Sequence, residues 1–244
     1  MPRWAFVSLR DLYITFGLVA TLSSALAIAQ AVFGWYPFPV WQVGQAPGLF
    51  FNPTHASQTA AIVIVALVVS KVYWLIPGAI PGLYLAHSRG GWLALAIGLI
   101  AIRLRQPIWF VVVALAFAVI FTYHPNSSDT QRLAIWHAAW INLTFWGNGF
   151  GSFQALYMGD PTCCVVHPEY VHNDYLQTVF EFGVWSVIPF GIVGYAVSRT
   201  SAKAWPILIC FLFMAGFSMP LHMPVVAAVG ALALSSILLE ARNA

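Results

Sequence analysis

The sequence predicts an all-α integral membrane protein with about eight transmembrane helices and one long extracytoplasmic loop containing an interfacial helix. Three observations lead there. The chain is 61% hydrophobic, with a mean hydropathy of +0.82. Only 7% of its residues are charged, where soluble domains carry roughly 25%. Apolar runs recur along all 244 residues, which read as one polytopic domain. A soluble fold has nowhere to hide so much apolar surface.

A span needs about 20 apolar residues to cross roughly 30 Å of hydrocarbon. The first runs from Leu12 to Phe33. Arg3 and Arg10 precede it, and it is too long for a signal-peptide core, so it is expected to stay as a span. A loop rich in Pro, Trp and Phe follows, suited to a membrane interface. Lys71 and the Pro77 to Pro81 break divide the next stretch into spans at about 57–71 and 72–87. The fourth and fifth spans fall at about 91–104 and 107–123. The long polar segment then covers about 124–171. Within it, Asp129 to Phe145 reads as an interfacial helix, ended by Gly147, Gly149 and Gly151. Three further spans are placed at about 173–197, 204–218 and 223–240, the last two joined by a tight turn from Met219 to Pro224.

The charges orient this layout. Arg3, Arg10, Lys71, Arg103, Arg105, Arg199, Lys203 and Arg242 all fall on one side, which the positive-inside rule makes cytoplasmic, with both termini. Arg89 and Arg132 are left on the other side. The net charge is only +3 and the basic residues are scattered, which argues against a nucleic-acid partner.

Polar chemistry is concentrated in one place. The eleven residues from His167 to Gln177 hold two histidines, two carboxylates and two amides, at the mouth of an apolar segment. His172 has Asn173 and Asp174 beside it, and Glu181 lies farther down the same helix face. Carboxylates are costly inside a membrane and usually face a cavity or a partner. A histidine near neutral pKa can remove a proton from a sugar hydroxyl. Arg89 starts a helix in Ser88-Arg89-Gly90-Gly91, where amides and a guanidinium suit phosphate oxygens. Read blandly, it is a snorkelling helix-end arginine. Arg132 read blandly is a solvated arginine paired with Asp129; together the two arginines can clamp a diphosphate. The order Cys163, Cys164, His167, His172 matches no standard zinc pattern, so no metal is expected. The glycine series follows a helix rather than a strand, so it is not a dinucleotide loop.

These residues resemble the O-antigen ligase and polymerase family of membrane glycosyltransferases. Gly48-Leu-Phe-Phe-Asn52-Pro53 resembles the family's loop before a span, and Ser88-Arg89-Gly90 its Ser-Arg-Gly turn. Arg132 to Trp136, with Gly147-Asn-Gly149-Phe-Gly151, resembles its arginine helix and glycine series. His172-Asn173, with nine residues between Asn173 and Gly183, resembles its histidine signature; Ser186 stands where the ligase pattern has Gly, Thr or Tyr. The resemblance covers about residues 48–200. Family members usually have more spans, so some N-terminal helices are expected to be missing.

The resemblance implies a reaction at the outer face of a bacterial inner membrane. A glycan on undecaprenyl diphosphate moves, with inversion, to an acceptor hydroxyl of lipid A-core, a growing glycan or a protein. No cofactor, metal or nucleotide sugar is expected. His172 is implied as the base or acceptor-orienting group. Arg89 and Arg132 are implied to neutralise the leaving diphosphate, with Asn173, Asp174, Glu181 and Asn52 in support. Ligase, polymerase and protein O-oligosaccharyltransferase all remain open. So do a truncated, non-catalytic membrane subunit and a transporter.

Overall fold

The structure is a computed structural model that describes residues 8–40, 45–104, 127–157, 169–199 and 202–242. The expected span at 107–123, Cys163, Cys164, His167, Arg3, Arg105 and the side chain of Asp129 lie outside the described residues. Among the described residues every regular element is a helix. They are α1 (Leu9–Phe33), α2 (Pro53–Val69), α3 (Ile76–Leu85), α4 (Arg89–Leu104), α5 (Ser127–Ile141), α6 (Ser152–Tyr157), α7 (Asp174–Phe182), α8 (Val187–Ser198), α9 (Trp205–Ala215) and α10 (Pro224–Arg242). Short 3-10 turns precede α3, join α7 to α8 and precede α10.

The first helix is well delimited. Ser8 and Asp11 form a reciprocal capping box, and Gly34 ends the helix in the left-handed region at φ 62. Small residues let α1 and α3 approach closely: the Gly82 amide donates to Ser24 Oγ at 2.9 Å, and Gly78 lies against Thr21. Gln30, buried in α1, pins the following loop by exchanging two hydrogen bonds with the Gly48 backbone, at 3.0 and 2.8 Å.

The core is built on α2 and α9. Both are apolar and buried almost throughout, and α4 packs against each of them. A second, smaller apolar cluster joins Ile135 and Ala139 of α5, Phe153 of α6, and Val171 and Phe180 around α7. It seats α5, the expected interfacial helix, on the start of the 174–198 segment.

Among the described residues, three segments are long and apolar enough to cross a membrane: Leu9–Phe33, Asp174–Ser198 and Pro224–Arg242. This accords with a membrane protein. The expected span at 72–87 is a 3-10 turn and the ten-residue α3, which rises only about 15 Å. Lys71, at φ 60, ends the preceding helix in a left-handed turn, and Pro81 interrupts the bonding inside α3. The expected helix at 173–197 is also interrupted. Gly183, at φ 54, breaks it into α7 and α8 through the turn Gly183–Ser186. The interfacial helix stops at Ile141 rather than Phe145.

Candidate functional site

One end of the bundle gathers the starts of α2, α4, α7 and α10. Of the sequence-derived candidates, Arg132 and Glu181 are linked there to the Val171–His172 stretch, while no described contact brings Arg89 or Asn52 to it. The Val171 carbonyl accepts from Trp136 Nε1 of α5 at 3.0 Å, and its amide donates to Gln177 Oε1 at 3.2 Å. With Val171 held from both sides, His172 follows at φ 56, a conformation costing a non-glycine residue about 1–2 kcal/mol. Strain of this size persists only where neighbours fix it.

Arg132 sits one helical turn before Trp136 on α5, which brings it towards His172. Burial first, then the positive charge of Arg132, then that of His55, pull the His172 pKa down to about 4. His172 is therefore neutral at pH 7, with a nitrogen lone pair free to accept a proton. Arg89 is exposed at the first position of α4. The Ser57 hydroxyl reaches the Ser88 carbonyl at 3.4 Å, and Gly91 packs tightly against Ser57 of α2. That tight packing explains a glycine at position 91 better than close approach of a ligand does.

The supporting residues divide by what they touch. Asn52 caps α2, its Oδ1 accepting from the Thr54 amide at 2.8 Å. Asn173 caps α7 in the same way, accepting from Leu176 at 3.1 Å. Both asparagines thus have complete helix-capping roles. Glu181, only 5% exposed, accepts from Gln177 Nε2 at 3.0 Å. It therefore braces His172 indirectly, through Gln177 and Val171. Asp174 has a different partner: its Oδ2 accepts from the Leu221 amide at 2.9 Å.

The glycine series docks onto the broken end of α7. The amides of Asn148 and Gly149 donate to the Phe180 and Glu181 carbonyls at 2.9 and 3.0 Å, and the Val184 amide donates to Phe145 at 2.8 Å. Gly147 and Gly183 cross backbone to backbone, where a side chain on either would collide. Their φ values of 84 and 54 also favour glycine.

Sequence reasoning passed over three residues at this end. His55, in the first turn of α2, has its Nε2 buried with no hydrogen-bond partner. One turn on, Gln58 is 0% exposed and both its amide atoms are unpartnered. His222 approaches Asp174 from the turn before α10. Lone polar residues in apolar runs have no spacing to mark them. Among the described residues no group of three or more His, Cys, Asp or Glu could hold a metal ion. No protein-family model matches the chain, and no curated protein matches it.

Proposed function

We propose that this chain is an O-antigen ligase-like glycosyltransferase. It moves a glycan from an undecaprenyl-diphosphate carrier to an acceptor hydroxyl at the outer face of a bacterial inner membrane. Both termini are cytoplasmic in this reading, and the end bearing His172 faces out. The observation that carries it is the docking of α5 on Val171, which sets cationic Arg132 beside neutral His172. Transfer from a lipid diphosphate needs both kinds of group: a cation for the departing charge and a neutral base or orienting group for the hydroxyl.

Arg132 holds the diphosphate, with Arg89 at the start of α4 as its second cationic contact. Burial, with the charge of Arg132 second, keeps His172 neutral and makes it a weak base. His172 is thus suited to accept a hydrogen bond from the acceptor hydroxyl and orient it. The acceptor decides between ligase, polymerase and protein transferase, and the chemistry is shared.

Transport is the second reading. It draws on the break beside buried Glu181, since broken helices in transporters present free carbonyls to ions. Here the Phe180 and Glu181 carbonyls already accept from Asn148 and Gly149, so the break is filled by protein. This favours transfer.

Deletion in the host tests the reading. The lipid-linked glycan is expected to accumulate, and neither His172→Ala nor Arg132→Ala is expected to clear it. Clearance by both variants as well as by the wild type would contradict the proposal.

A further inference from the structure

The Met219 to Pro224 turn brings a third histidine, His222, to the end that holds His172 and His55. Asp174 is 3% exposed. One of its oxygens is committed to the Leu221 amide at 2.9 Å. The other, Oδ1, lies 3.4 Å from His222 Nδ1. This is an electrostatic approach rather than a formed hydrogen bond, because neither atom has a hydrogen-bond partner among the described residues. The His222 ring also stacks on Tyr170, with centroids 4.1 Å apart. Its side chain is 27% exposed although Nδ1 is shut in, so the exposed part of the side chain lies away from Nδ1.

Tyr170 and Asp174 flank His172 by two residues on either side. The His222 imidazole therefore packs against the same short stretch that carries the proposed site. A carboxylate aimed at Nδ1 favours the tautomer with the proton there, which gives Nε2 the free lone pair. Holding the turn to α7 needs only the Leu221 hydrogen bond. The second carboxylate oxygen is available to orient the imidazole.

We propose that His222, oriented by Asp174, takes the proton of the acceptor hydroxyl, and that His172 orients the acceptor. The inference rests on the transfer reading above. The hydroxyl proton goes to His222 Nε2 as the oxygen bonds to the anomeric carbon. The bond from that carbon to the diphosphate oxygen breaks, and its electron pair leaves with the lipid diphosphate beside Arg132. The imidazolium then gives its proton to water.

The test uses the full chain in proteoliposomes. The donor is the lipid-linked glycan extracted from cells lacking this protein, and the acceptor is lipid A-core. His222→Ala is expected to lower turnover by about 100-fold or more, with donor KM unchanged, and added imidazole is expected to restore part of it. Asp174→Asn preserves volume and is expected to lower turnover with donor KM unchanged. Turnover within threefold of wild type in both variants overturns the assignment. So does a loss that comes with weakened donor binding and no imidazole rescue, which marks the pair as a structural latch. A wild type without transfer overturns the transfer reading itself, and this inference falls with it.

Discussion

The two ends of this bundle carry their cations differently. At one end Lys71, Arg103, Lys203 and Arg242 are exposed and separate in sequence. Arg199 there bonds the Tyr195 hydroxyl at 2.8 Å and lies over its own neighbour's ring, a local arrangement within one helix end. At the other end, Arg132 and His55, from two separate helices, both act electrostatically on His172. His222 meets Asp174, two residues from His172, from one more segment. The first pattern is what orientation in a membrane requires. The second brings remote segments together. Buried polar atoms without partners occur at both ends, Arg199 Nε at the first and His55 Nε2 and both Gln58 amide atoms at the second. Such groups are costly, and at the second end a ligand or bound water beside the candidate site would satisfy them.

The sharpest way to break the comparison is to remove one cation from each end. Arg132→Ala is expected to lower glycan transfer by about 100-fold or more, as loss of a preorganised charge contact does. Arg103→Ala is expected to leave transfer within about twofold. Equal losses would erase the distinction between the ends.

A second comparison sets two glycines of the 174–198 region and its dock against each other. Gly147→Ala puts a Cβ into the Glu181 and Phe182 backbone at φ 84, and is expected to cost about 2–3 kcal/mol in unfolding measurements. Gly191→Ala meets no atom within 4 Å and is expected to change stability by under about 1 kcal/mol. A harmless Gly147→Ala would contradict the close crossing.

Smaller effects test the asparagines. Asn52→Ala and Asn173→Ala each remove a cap and are expected to cost about 1 kcal/mol. Asn52→Ser retains a capping oxygen, so stability and transfer should both survive it. If Asn52→Ser abolished transfer in a stable protein, Asn52 would be more than a cap.

The subtlest effect is in pH. Folded His172 stays neutral down to about pH 4, while unfolded it protonates near its ordinary 6.5. The unfolded chain binds more protons between those values, so stability is expected to fall as pH drops from 6.5 to about 4. Arg132→Gln removes one cause of the shift. The pH-dependent loss should then shrink, and its lower limit should move up. An unchanged profile would mean Arg132 does not act on His172.

Much of this was readable in the sequence, for definite reasons. His172, Arg89 and Arg132 stand out because ionisable residues are scarce in so apolar a chain. Asn52 before Pro53 is a helix-start pattern, and the structure uses it as one. The break at Gly183 had a weak signal, a glycine inside an apolar run. What makes it a break is the Gly147 backbone lying across it, and no local pattern shows that contact. The shortness of α3 follows from Lys71, Pro77 and Pro81, which were read as a boundary between spans rather than a limit on length. Gln58 and His222 were silent in sequence. Their interest lies in unmet hydrogen bonds and in one carboxylate oxygen 3.4 Å away, which only the packed chain reveals.

The central claim is that the His172 end carries glycan transfer from a lipid diphosphate. It is tested most directly by the purified full chain in proteoliposomes, assayed for release of undecaprenyl diphosphate coupled to glycosylation of the acceptor. The wild type is expected to couple the two one for one, and His172→Ala and Arg132→Ala are expected to lose both together. Undiminished coupled transfer by a folded Arg132→Ala, or none by the wild type, would contradict it.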